Sequence, residues 1–119
     1  MKEIFNKLYF IAEQQIQNNQ NLEQVVVLRT DVPCVYSFEN RVLSHGSEDE
    51  DRLLQDLIDK GDTVVEYLVC MWKGGGLDTP SHHFRKRLLE LSEKNAEAKI
   101  LLQGEMLTVK TLKATMPIE

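Results

Sequence analysis

The chain has 119 residues, 42% of them hydrophobic and 28% charged, with a formal net charge of -5. These proportions are typical of a globular protein, so we expect one folded domain over residues 1–119. The acidic balance without a cluster of Lys and Arg argues against a nucleic-acid polymer or an anionic membrane as partner. No apolar run is long enough to cross a bilayer and the first residues do not resemble a secretory signal, which predicts a cytoplasmic protein.

The first half of the chain contains two helical patterns and two strand patterns. Apolar residues recur at helical spacing over residues 4–16. β-Branched and aromatic residues then predict strands over 24–30 and 34–38. An acidic start and a glycine stop bound a second helix over 47–60.

The second half predicts the centre of a sheet. Residues 63–72 form a near-continuous apolar run, which is typical of a strand covered on both faces. After the glycine loop, Thr79 is a candidate N-cap for a helix that runs to about residue 95. Strands over 99–103 and 106–110 and a short C-terminal helical turn complete the order αββαβαββ. This order predicts an α/β protein, a three-layer α/β/α sandwich with a mixed five-stranded sheet.

The two cysteines, Cys34 and Cys70, both fall in predicted strands. A reducing compartment keeps such distant thiols unpaired. Unpaired buried cysteine behaves as a small hydrophobic residue, so we interpret both as packing residues.

Three short segments carry more specific information, because they follow one another at the points where predicted elements meet. They are Ser-Phe-Glu-Asn at 37–40, Glu-Asp-Glu at 48–50, and Pro-Ser-His-His-Phe-Arg at 80–85. In order and spacing they resemble the motifs of the small cytidine deaminases, which include homotetrameric and blasticidin-type enzymes. The resemblance covers roughly residues 22–117 and implies the cytidine deaminase fold.

The resemblance assigns ligand-binding and proton-transfer positions. The ribose-binding Asn-x-Glu-Asn motif of the family falls on residues 37–40 and retains Glu39 and Asn40. A carboxylate with an amide can bind two ribose hydroxyls, although a polar strand end would look the same. Glu50 falls on the catalytic glutamate that shuttles protons, although it also fits as an acidic residue that complements a helix N-terminus.

The same resemblance implies that the zinc site is degenerate. The first ligand position of the family falls on Glu48, and its two cysteine ligands fall on Ser81 and Phe84. Phenylalanine cannot bind a metal and a neutral hydroxyl is a poor zinc ligand, so we expect no zinc. Without a metal-activated water, Glu50 is expected to be idle. Arg85 matches the family's arginine beside the ligands, and we expect it to form an ion pair with Glu48.

A rearranged metal site is an alternative. Imidazole is a common zinc ligand, so Glu48, His45 and either His82 or His83 form a conceivable ligand set. Neighbouring histidines on a helix point about 100° apart, so only one of the pair can face such a site. An exposed histidine pair in the first helical turn is the other interpretation.

We therefore expect a cytidine deaminase-like protein that does not act as a zinc deaminase and binds a nucleoside or nucleotide. The resemblance also implies a homo-oligomer, dimer or tetramer, because the family builds its sites at subunit contacts. Two alternatives stay open: an active cytidine-type deaminase or hydrolase with an atypical site, and a non-catalytic interaction scaffold.

Overall fold

A computed structural model describes residues 3–19, 21–41 and 47–116, with the side chains of residues 40, 41, 47 and 48 outside the description. Within these residues the elements are α1 (Glu3–Asn18), β1 (Leu22–Thr30), β2 (Val35–Arg41), α2 (Ser47–Asp59), β3 (Val65–Trp72), β4 (Leu77–Asp78), α3 (His82–Leu91), β5 (Lys99–Gln103) and β6 (Leu107–Thr111). Short 3₁₀ turns follow α3 and β6, at Glu93–Glu97 and Lys113–Thr115. None of the described helices is both long and apolar enough to cross a membrane.

The strands form one mixed sheet in the order β2-β1-β3-β5-β6. The β3–β5 pairing is parallel, and the β1–β2, β1–β3 and β5–β6 pairings are antiparallel. The order αββαβαββ is therefore confirmed, with β3 at the centre and β2 and β6 at the two edges. The sheet also has a sixth strand beyond the predicted five, because the two-residue β4 turns back after the glycine loop and pairs with the end of β3.

Helices cover both faces of the sheet, which confirms the three-layer arrangement. One core lies between the sheet and α1, and the other lies between the sheet and the pair α2 and α3. Because β1 and β3 are covered on both sides, successive residues of either strand are buried instead of every second one. The fully buried residues at the centre of the sheet are Val25, Val26, Val27, Leu28, Leu68, Val69 and Cys70.

Two local predictions are wrong. Ser81, not Thr79, is the N-cap of α3, and its hydroxyl accepts a hydrogen bond from the Phe84 N–H at 3.1 Å. Cys34 is exposed and precedes β2, so it is not a packing residue. Cys70 is fully buried as expected, and burial raises the pKa of its thiol to about 12.

Asn95 fixes the end of α3 against the start of β3. This fully buried amide accepts a hydrogen bond from the Val65 N–H at 2.7 Å. It donates to the carbonyl oxygens of Leu88 at 2.7 Å and Thr63 at 2.9 Å. One buried amide thus joins backbone groups of α3, of β3 and of the segment before β3, so Asn95 holds α3 in a defined position on the sheet.

Candidate functional site

The residue at the position of the second cysteine ligand, Phe84, belongs to the hydrophobic core. Its side chain has 0% exposure and its ring meets the ring of Phe38 edge-on, with centroids 5.0 Å apart and planes at 61°. Edge-to-face packing of this kind is favourable beyond the area it buries. The core between the sheet and α3 therefore occupies the place where the resemblance puts a thiolate.

Ser81, at the position of the first cysteine ligand, is used in local structure. Its hydroxyl oxygen caps α3, as described above, and its carbonyl accepts the Arg85 N–H at 3.1 Å. An N-cap hydroxyl satisfies one of the free N–H groups at the start of a helix. The side chain of Ser81 is thus engaged in capping the helix.

Glu50 lies in the first part of α2 with its side chain turned inward. The residue is only 5% exposed, and its Oε1 atom has no hydrogen-bond partner among the described residues. Burial raises the pKa of this carboxyl, and the positive charges of His83 and Arg87 on α3 partly oppose that effect. The carboxyl expected at the proton-shuttle position is therefore held between the heads of α2 and α3, close to two basic side chains.

The predicted ion pair of Arg85 with Glu48 stays a prediction, because the side chain of Glu48 lies outside the described residues. Arg85 donates to the Thr115 carbonyl at 2.5 Å. A separate ion pair joins the two helices, between Arg87 of α3 and Asp51 of α2. Arg87 lies two residues beyond the motif, so the motif did not predict its contact with Asp51.

A three-ligand zinc site does not fit the described side chains. Phe84 has no donor atom and Ser81 offers only an engaged neutral hydroxyl, so two of the three family positions lack a competent ligand. His82 and His83 are both exposed at the head of α3, and His45 lies outside the described residues. Across the described part of the chain, no group of three or more His, Cys, Asp and Glu side chains is placed to hold a metal ion.

Glu39 lines an open cleft of about 270 Å³ between the free edge of β2 and α2. The residues around this cleft are Tyr36, Ser37, Phe38, Glu39, Asp49, Arg52, Leu53 and Asp56. Arg52 contacts Asp49 at 3.3 Å, so the only guanidinium of the lining is already paired. The side chain of Asn40, the other predicted ligand-binding residue, lies outside the described residues.

The structure does not bring Glu39 and Glu50 into this cleft together. Glu39 is opposite Val25 across the β1–β2 ladder, and directly opposite residues share a face of the sheet. Val25 belongs to the α1 core, whereas Glu50 is on α2 beneath the other face. The motifs did not indicate that α2 lines the cleft. Its lining residues, at positions 49, 52, 53 and 56, have the spacing of a single helical face.

A buried carboxylate fixes the aromatic wall of the cleft. Asp62 accepts hydrogen bonds from the Tyr36 hydroxyl at 2.9 Å and the Thr30 hydroxyl at 2.8 Å. Burial, reinforced by Asp62, raises the pKa of Tyr36 to about 12. Tyr36 is therefore a neutral hydrogen-bond donor at physiological pH, and its ring is held in one position at the cleft.

Comparisons with known proteins agree on the fold. No protein-family model matches the chain, and no curated protein matches it in sequence. Among solved structures, cytidine deaminase from Mycobacterium leprae is similar at a TM-score of 0.71 and 17% identity, with 96% of this chain and 98% of that chain covered. The enzyme from Bacillus anthracis gives 0.72 and 16%, covering 98% and 89% of the two chains. The enzyme from Burkholderia pseudomallei gives 0.67 and 15%, covering 94% and 95%.

These likenesses extend over nearly the whole chain and preserve the order and layering described above. Sequence identities of 15% to 17% limit the inference to architecture. The chain has the fold of the cytidine deaminases.

Proposed function

We propose that this protein is a non-deaminating relative of the cytidine deaminases that binds a nucleoside through the cleft beside Glu39. The observation that carries the first half is the burial of Phe84 in the core. A zinc deaminase needs three ligands and an open position for a metal-bound water. Here one ligand position is filled by an aromatic ring and a second by a helix-capping hydroxyl.

The cleft supports the second half of the proposal. Glu39 and Tyr36 both line the cleft. A carboxylate can accept hydrogen bonds from sugar hydroxyls, and a base can pack against an aromatic ring. Binding sites of this kind are typically concave, with a few polar groups that fix the orientation of the ligand. The cleft is shallow and open, so we expect weak binding at the micromolar to millimolar level.

Two measurements test the proposal. The first is the metal content of protein purified without chelator or a metal-binding tag, together with ammonia release from cytidine. We expect less than one zinc in ten chains and no deamination above the buffer rate. About one zinc per chain with cytidine turnover would contradict the proposal and support a deaminase with an atypical ligand set.

The second measurement is the melting temperature in the presence of cytidine, uridine and adenosine. A ligand at 100 times its Kd stabilises the folded state by about 2.7 kcal/mol, enough for a clear shift. We expect the shift to be lost in Glu39→Gln and kept in Glu66→Gln, an exposed acid remote from the cleft. No shift with any nucleoside would instead favour an interaction scaffold.

A metal-independent hydrolase is a second candidate, because Glu50 has one property of a general acid or base. Its carboxyl is buried, has a raised pKa and lies near His83. This candidate predicts nucleoside hydrolysis that disappears in Glu50→Gln. We favour the binding protein because Glu50 does not line the described cleft, so a nucleoside bound there would not meet the carboxyl.

A further inference from the structure

Three cationic side chains from separate parts of the chain meet at one end of the sheet, on the face that α1 covers. Arg29 of β1 lies opposite Tyr67 of β3, and Tyr67 lies opposite Lys99 of β5. Directly opposite residues share a face of the sheet, so these side chains form a row across three strands. Lys7 of α1 lines the same cavity as Arg29. We call Lys7, Arg29 and Lys99 the basic cluster.

The ring of Tyr67 holds two cations of the basic cluster close together. The Arg29 Cζ and the Lys99 Nζ each lie 5.8 Å from the centroid of this ring. The ring is fixed against α1, because the fully buried Phe5 meets it edge-on with centroids 5.3 Å apart. The ring attracts each cation, but the two positive charges repel each other. An anion bound beside them would relieve that repulsion.

The basic cluster is not neutralised by ion pairs within the described residues. None of its three members takes part in the ion pairs between described side chains. The chain has 19 acidic and 14 basic residues, so these cations are unpaired although carboxylates are in excess. Arg29 and Lys99 are only partly exposed, and partly buried charges are screened less by salt than exposed ones. The basic cluster therefore has positive charge available to a ligand.

The open cavity beside the basic cluster is large enough for a small molecule. It measures about 490 Å³ and is lined by Glu3, Ile4, Lys7, Arg29, Pro33 and Val35. Small-molecule sites are concave and typically measure about 300–1,000 Å³. Among these lining residues Glu3 carries the only carboxylate, and two cations oppose it. A concave basic site of this size favours a small anion over a flat anionic membrane.

We propose that the basic cluster and this cavity bind a small molecule that carries two linked phosphate groups, of which pyrophosphate is the simplest form. The planar guanidinium of Arg29 suits bidentate contact with a phosphate, and Lys7 and Lys99 supply point charges. Because the three cations come from α1, β1 and β5, two linked phosphates can contact more of them than one phosphate can. The proposal does not rest on nucleoside binding, since Glu39 does not line this cavity.

Isothermal titration calorimetry of the native chain with pyrophosphate tests the proposal. We expect one site per chain with a Kd on the order of 0.1 mM. Binding should weaken as the salt concentration rises, because salt screens the attraction. Inorganic phosphate should bind about tenfold more weakly, since it contacts fewer of the three cations.

Single variants test the contribution of each charge. Arg29→Gln should raise the Kd for pyrophosphate by about tenfold, because it removes a bidentate contact. Lys7→Gln and Lys99→Gln should each raise it by about two- to fivefold. Glu3→Gln should have the opposite effect and lower the Kd by a similar factor, because it removes the carboxylate that repels the anion.

Lys110→Gln is the matched control. It makes the same change in net charge at an exposed residue of β6. Lys110 lies opposite Ile100, which belongs to the core under α2 and α3, so it points away from the face that carries the basic cluster. The control should leave the Kd unchanged, and circular dichroism should show that every variant folds.

Three results would overturn the proposal. The first is no binding of pyrophosphate at about 10 mM by either calorimetry or thermal shift. The second is equal weakening by Arg29→Gln and Lys110→Gln, which would show attraction by the overall charge without a site. The third is binding to phosphatidylcholine vesicles that contain phosphatidic acid, lost in Arg29→Gln but not displaced by pyrophosphate. That result would make a membrane headgroup the occupant.

Discussion

Restoring the family's ligands is the most direct test of why this fold would lack zinc. In the variant Glu48→Cys, Ser81→Cys, Phe84→Cys, the main cost comes from Phe84, which is fully buried and packs on Phe38. Truncation of a buried phenylalanine to alanine costs about 3–5 kcal/mol, and cysteine retains some of the volume. We therefore expect the metal-free variant to lose about 2–4 kcal/mol, roughly 10–15 °C in melting temperature for a chain of this length.

Zinc should recover this loss if the backbone still has the arrangement of the fold. Zinc at about 1,000 times its Kd stabilises the native state by about 4.1 kcal/mol, which is comparable with the cost of the substitutions. The assay is a pair of thermal melts with and without one equivalent of zinc, followed by measurement of bound metal after dialysis. We expect one zinc per chain and a melting temperature close to that of the native protein.

The matched control moves one cysteine by about one helical turn. The variant Glu48→Cys, Ser81→Cys, Leu88→Cys has the same number of thiols and a similar core defect, since Leu88 is also fully buried. Its third thiol cannot reach the other two, so zinc should not restore its stability. The reasoning is refuted if Phe84→Cys alone costs less than about 1 kcal/mol, or if zinc rescues both triple variants equally.

Three further predictions concern single residues. Ser81→Ala should cost about 1 kcal/mol in chemical denaturation because α3 loses its cap, whereas Ser81→Asp should keep most of the stability. Asn95→Ala should cost about 3 kcal/mol in urea denaturation, because the backbone groups of Val65, Leu88 and Thr63 each lose a hydrogen bond to the amide; a cost within error would show that water replaces the amide. Glu50→Gln should stabilise the protein at neutral pH, with Glu90→Gln, an exposed acid of α3, as control. Folding raises the pKa of Glu50 above its unfolded value of 4.5. The stability that its carboxyl contributes is therefore fully present below pH 4.5 and is lost as the pH rises through the folded pKa. The gain in stability from Glu50→Gln should therefore vanish in acid.

The fold was predictable because its clearest sequence patterns extend over many residues. The unbroken apolar run over 63–72 indicated a strand covered on both faces, and β3 is the centre of the sheet. By contrast, β4 has only two residues, too few to show an alternation. The start of α3 was misplaced because Thr79 and Ser81 are both good caps. The start of α3 depends on the preceding residues, because Leu77–Asp78 pairs with β3 and the helix begins only after this strand.

The site was less predictable because it depends on which faces meet. The resemblance assigned Glu39 to ligand binding and Glu50 to proton transfer, but it did not show that the register of β1 and β2 turns Glu39 towards the α1 side. The exposure of Cys34 was also not predictable from its residue type. A hydrophobic residue type in a predicted strand was expected to pack, yet the turn between β1 and β2 leaves it exposed.

The contacts between the starts of α2 and α3 determine how much stability the chain would lose if zinc ligands were introduced there. In the described structure Arg87 of α3 pairs with Asp51 of α2, and Phe84 of α3 belongs to the same apolar core as Leu53 and Leu54 of α2. Both partners of the ion pair are substantially exposed, and such pairs contribute about 0–1 kcal/mol. The shared apolar core is therefore the main link between the two helices, and Phe84 cannot be exchanged for a thiol without opening that core. A single substitution towards the metal-binding pattern would destabilise the chain before any zinc could bind, so a protein with this core would be expected to keep it.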